Sequence, residues 1–137
     1  MTADLTAFLL ARLDEQEAAA VAAGGRGEGW QALGTGVYSI PLDEDALPLI
    51  TTGPEAGGSD EDAARAVHVA LHDPARVLRW VRATRRVVAG RELSQAAVEA
   101  DPAGVSAPVA TSASEIVLRF LAEVYADHPE YRPEWAP

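Results

Sequence analysis

The apolar positions of this chain recur mostly at helical spacing. Leu5, Phe8, Leu9 and Leu13 fall at i, i+3, i+4 and i+8, one face of a helix over residues 3–23. Asp14, Glu15 and Glu17 lie off that stripe. Thr2 or Asp4 can cap its start, and its alanine-rich end runs into Gly24-Gly25. Ala63, Val67, Ala70 and Leu71 mark a second helix over 60–72, capped by Ser59 or Asp60 and acidic in its first turn. Val77, Trp80, Val81, Thr84, Val87 and Val88 share one arc of a third helix over 74–91, with the arginines up to Arg86 on the opposite arc. Ser112-x-x-Glu115 reads as a capping box opening a fourth helix over 113–126, with Ile116, Val117, Phe120, Leu121 and Val124 inward.

Between these helices the pattern changes. Residues 24–36 are glycine-rich and read as a loop around Trp30, a plug over the core. Val37, Tyr38, Ile40, Leu49, Ile50, Thr51 and Thr52 are strand formers on either side of the acidic turn Asp43-Glu44-Asp45. They predict a β-hairpin over 36–52, confined to short or edge strands by Pro41 and Pro48. Asp73-Pro74 separates the second and third helices, with Asp73 as N-cap and Pro74 at the first helical position. Residues 92–111, rich in Ala, Ser, Pro and Gly, read as a loop with one helical turn. Tyr125, Tyr131 and Trp135 are too apolar to leave in water, so the tail folds back on the helices or anchors a partner. The expected fold is one mainly α domain over 1–137: four helices, one small β-hairpin and a folded-back C-terminal tail.

Composition refines this picture. The chain has 137 residues and a net charge of −10, so as a whole it is a poor nucleic-acid binder. The charge is uneven: Arg76, Arg79, Arg82, Arg85, Arg86 and Arg91 face Asp73 alone between residues 73 and 91. That arc reads as a solvated face with ion pairs to the first helix or to acidic loops, or as a partner-binding face. There is no Cys, which excludes disulfides, Cys-ligated zinc and thiol catalysis. There is no Lys or Asn either, a usage that points to a GC-rich genome. No basic, apolar leader or membrane-length span is visible, and the expected compartment is the cytoplasm.

Three histidines carry the candidate chemistry. His68 and His72 stand four apart on one helix, the spacing of helix-borne metal sites. Val69 stands where a zinc protease needs Glu. Asp73, Asp127 and His128 complete a candidate ligand set for a divalent metal such as Zn, Mn or Fe. The alternative is architectural: His72 hydrogen-bonds at the helix junction and His128 belongs to a turn. No phosphate loop, nucleophile elbow or other catalytic set is present, so no catalytic residue is assigned.

Two blocks, HVALHDPARVLRWVRATRRVV and YADHPEYRPEW, resemble the signature blocks of a family of small actinobacterial, Streptomyces-like or actinophage proteins of unknown function. The matching residues are His68, His72, Asp73, Pro74, Ala75, Arg76, Val77, Leu78, Arg85 and Arg86, then Tyr125 to Tyr131 and Trp135. The resemblance implies no activity. The leading expectation is a non-enzymatic interaction or accessory protein, acting on a protein partner or as a homodimer. The alternative is a metal-binding protein or metal-dependent enzyme using His68, His72 and His128.

Overall fold

The computed structural model describes residues 2–24, 29–54, 58–100 and 107–137. Its elements are α1 (Thr2–Gly24), β1 (Trp30–Leu33), β2 (Gly36–Ser39), β3 (Ile50–Thr51), α2 (Asp60–Leu71), α3 (Pro74–Ala100) and α4 (Ala107–Glu123), closed by a 3-10 turn at Pro133–Trp135. The chain is mainly α, as its periodicity predicts. It divides into two compact units, residues 16–81 and residues 1–15 with 82–137, so α1 and α3 contribute to both.

In the unit of residues 16–81, the three strands form an antiparallel sheet in the order β1-β2-β3. Ile50 and Thr51 of β3 pair with Val37 and Gly36 of β2, which is the predicted hairpin. The strand β1 corrects the predicted loop around Trp30. It pairs with β2 from Trp30↔Ser39 to Leu33↔Gly36 across a two-residue turn. Gly34 in that turn has φ of +57°, a left-handed conformation that costs glycine no Cβ clash.

Helix α2 starts where its acidic turn predicts. Ser59 Oγ accepts from the Asp62 N–H at 3.1 Å, and the Asp62 carboxylate accepts from the Ser59 N–H at 3.0 Å. Its buried face is only partly the predicted one: Ala70 is buried as expected, with Ala66 in place of Val67 and Leu71. Ala66 and Ala70, with Val69, pack on Val37, Trp30 and Ala32, while Val67 and Leu71 face outward. Small side chains let the helix approach the sheet closely, and a reading that ranks positions by size misses that.

Helix α3 runs nine residues past its predicted end, which corrects the expected loop from residue 92. The stretch ELSQAAVEA has no breaker before Pro102 and consists largely of good helix formers. Its buried seam is Leu78, Val81, Thr84, Val88 and Arg91. Trp80 and Val87, predicted inside, are 48% and 46% exposed. Arg85 of the basic arc pairs with Asp14 of α1 at 2.5 Å, the predicted ion pair to the first helix.

The unit of residues 1–15 with 82–137 holds the larger core. Leu5, Phe8 and Leu9 of α1 join Val88, Leu118, Ala122 and Trp135, with Leu121, Tyr125 and Tyr131 packed against them. The tail therefore folds back on the helices. Helix α4 starts at Ala107, so Ser112 and Glu115 lie inside it and do not open it. Among its described side chains, Leu118 and Ala122 are buried and Leu121 packs against the core; the predicted inward residues Ile116, Val117, Phe120 and Val124 are exposed. The tail aromatics occupy the core volume that those larger side chains were expected to fill.

Candidate functional site

Against Phe8 of the larger core lies an arginine that periodicity alone does not single out. Arg12 lies between Leu9 and Leu13 on the buried face of α1 and is only 6% exposed. Its guanidinium stands 5.1 Å over the Phe8 ring. It donates to Glu15 at 2.7 Å and to Glu130 at 2.9 Å. Burial works against its charge, but the hydrogen bonds and fields of Glu130 and Glu15 outweigh it, so its pKa is raised above the ordinary arginine value. The visible signal was a cation inside an apolar stripe with a carboxylate three residues on.

His128 belongs to this cluster. Arg12 Nη1 lies 2.8 Å from both ring nitrogens, a position that allows one hydrogen bond at a time. The Glu130 N–H also donates to His128 Nδ1, at 3.1 Å. The ring meets Phe8 edge-on at 5.7 Å. Phe8 is ringed in turn by Tyr125, Tyr131 and Trp135. The tail is tied further by Arg132 to Asp4 at 3.0 Å, and by Arg119 to the carbonyls of Glu134 and Ala136 at 3.3 and 3.2 Å. A cleft of about 620 Å³ between α1 and the tail is lined by Asp4, Phe8, Glu130, Tyr131, Arg132 and Trp135 among others. Its charged groups are engaged with one another, so this cluster is built to hold the tail.

The other candidate ligands lie in the unit of residues 16–81. His68 and His72 are exposed, with ring centroids 4.5 Å apart. His72 Nδ1 stands 2.8 Å from the His68 carbonyl. A carbonyl only accepts, so that nitrogen carries the proton and Nε2 keeps its lone pair in the neutral ring. Asp73 caps α3: its Oδ1 accepts from the Arg76 N–H at 2.5 Å, and its Oδ2 lies 3.4 Å from the Trp30 N. Asp127 is exposed beside His128. Among the described residues, no three His, Asp or Glu groups gather in a way that could hold a metal ion.

A third feature is a surface. Ile116, Val117 and Phe120 project from α4, with Val124 directly after its last residue, and Phe120 is 56% exposed. Val117 and Leu118 share a shallow groove of about 190 Å³ with Val87, Gly90, Arg91 and Ser94 of α3. The apolar strip therefore continues from one helix to the next. Among the described residues, this strip carries no His, Cys, Asp or Glu.

A family model matches residues 2–137, almost the whole chain. The chain belongs to the family of unknown function DUF6221. No curated protein and no solved structure is found to match it. Membership of DUF6221 spans both the histidine-bearing helix α2 and the tail cluster around Arg12, and assigns a role to neither. Among the described residues of this DUF6221 chain, no helix is long and apolar enough to cross a membrane.

Proposed function

We infer that the protein is an interaction or accessory protein that works through protein contacts made by the outer face of α4. One observation carries this reading: Ile116, Val117, Phe120 and Val124 are turned outward on a helix that has a well-packed opposite side. Contiguous apolar patches beyond a few hundred Å² are rare on monomers and mark binding surfaces. The tail aromatics, the other candidate anchor, are committed to Phe8 within the fold. The cysteine-free, arginine-only composition and the two sequence blocks favour the cytoplasm of an actinobacterial host as the place of action.

A photo-crosslinking amino acid at position 120 tests this. In extract of the native host, it is expected to give an adduct of discrete mass that Val124→Glu suppresses. The same probe at Leu33, an exposed position on the sheet, is expected to give none. Absence of an adduct at position 120 contradicts the reading.

A second reading concerns His68 and His72. Two rings at this separation, one oriented by a carbonyl, suit a shared divalent ion such as Zn, and the end of α2 favours positive charge. On this reading, elemental analysis of untagged protein finds metal, and Zn raises the melting temperature of the wild type but not of His68→Ala/His72→Ala. A metal content near zero and an unchanged melting temperature refute it.

A further inference from the structure

We propose that the partner on the α4 face is a second copy of this chain, joined about a two-fold axis parallel to α3 and α4. The proposal rests on the interaction reading above and names its partner.

Side chains cross this face in a definite order. Side chains on a helix advance about 100° per residue. Val117 borders α3, because it shares a groove with Val87. Moving outward around α4, Val124 and Phe120 follow, and then Ile116 and Glu123. On the α3 side, Val87 is succeeded outward by Gly90 and then by Arg86 and Arg82. The face is thus an apolar strip with a cationic flank on α3 and an anionic flank on α4.

The two helices also match in height. Val88 shares one core cluster with Leu118 and Ala122, and Val87, Gly90, Arg91 and Ser94 share a groove with Val117 and Leu118. Helix α4 begins at Ala107, close in sequence to the end of α3 at Ala100, and such consecutive helices run antiparallel. Together these place Glu123 level with the turn of α3 that holds Arg82 and Arg86.

The flanks are complementary in charge. Arg82, Arg86 and Glu123 are exposed, and among the described residues none of them has an ion-pair partner. A two-fold axis running along the helices, within the plane of contact, places the cationic flank of each copy against the Glu123 flank of the other. It buries Val117, Phe120 and Val124 between them. A two-fold axis across the helices would set arginine against arginine. A two-fold dimer requires a surface complementary to itself, and the α3–α4 face meets that requirement in the first orientation alone.

Sedimentation equilibrium over a concentration series tests this, with circular dichroism confirming that each variant is folded. The wild type should pass from the mass of one chain to that of two. Phe120→Glu should raise the dimer Kd about thirtyfold, as expected for a central anchor. Arg86→Glu and Glu123→Arg should each raise it about tenfold by setting like charges opposite one another. Mixed in equal amounts, the two charge variants should associate about as well as the wild type, because each flank then meets its opposite. A one-chain mass at every concentration, a dimer indifferent to Phe120→Glu, or no recovery on mixing overturns the proposal. A crosslinked adduct of position 120 with a different protein overturns it too, while leaving the interaction reading intact; no adduct at all defeats both.

Discussion

Arg12 and Glu130 are 118 residues apart in sequence and 2.9 Å apart in the fold. This pair joins the first helix to the tail, with the Phe8 ring beneath the guanidinium. Arg12 is buried, whereas Glu130 is well exposed. The two ends of the pair should therefore respond differently to mutation. Glu130→Gln should cost less than about 1 kcal/mol, since one end of the pair is solvated. Arg12→Ala removes buried packing and leaves the His128 ring with the Glu130 N–H as its remaining donor, and should cost about 2–4 kcal/mol. Urea denaturation of both variants checks the asymmetry.

Trp135 is 3% exposed and closes the larger core against Phe8 at 4.9 Å between ring centroids. Trp135→Ala should cost about 3–5 kcal/mol, the range for removing a large aromatic from a packed site. Ending the chain after Asp127 should be at least as damaging, because it also removes Glu130 and Tyr131. Thermal melts followed by circular dichroism measure both losses.

Gly24 ends α1 against Pro74, the first residue of α3. A Cβ built at position 24 would stand 2.6 Å from Pro74 Cγ. The ring of Pro74 has little freedom to move away, so Gly24→Ala should destabilise by about 1–3 kcal/mol through overpacking. Gly90 has nothing within 4 Å of the same position. Gly90→Ala on α3 should therefore be neutral or stabilising by helix propensity. Comparing the two denaturation midpoints checks this.

Asp62 lies in the capping box of α2. The Ser59 backbone N–H lowers its pKa below the ordinary 3.8, helped by the Ser59 hydroxyl and Arg65, and burial opposes them. A group with a depressed folded pKa stabilises the fold above its unfolded value, and that contribution is lost as pH falls through the folded value. The wild type should therefore lose melting temperature as pH falls from 5 towards 2. Asp62→Asn should be less stable at neutral pH and show a smaller acid loss. Equal acid losses in both proteins would contradict this assignment.

Much of this architecture was legible in the residues, and the misses have physical causes. The α1 stripe, the Ser59 cap, the Asp73-Pro74 junction and the β2–β3 hairpin follow from spacing and turn chemistry. The buried faces of α2 and α4 followed only in part: Ala70 and Leu121 turn inward as expected, whereas Ala66 and Ala122 were missed because close approach there matters more than side-chain size. The strand β1 was hidden by its glycine-rich neighbourhood, and the end of α3 by a composition low in large apolar residues. Arg12 escaped notice because its partner Glu130 comes from the far end of the chain. His68 and His72 fell together as their spacing implied, while His128 was drawn to Arg12.

The chain contains no cysteine, so single introduced thiols report cleanly on exposure at the α4 face. The decisive measurement is the rate of maleimide labelling of Val117→Cys and Leu118→Cys at low and high protein concentration, which leaves Phe120 in place. In dilute protein, the thiol at 117 should react rapidly and the thiol at 118 slowly; raising the concentration should slow labelling at 117 alone. Equal rates at 117 and 118 would contradict the outward face of α4, and labelling at 117 that is indifferent to concentration would contradict its use as a contact between copies.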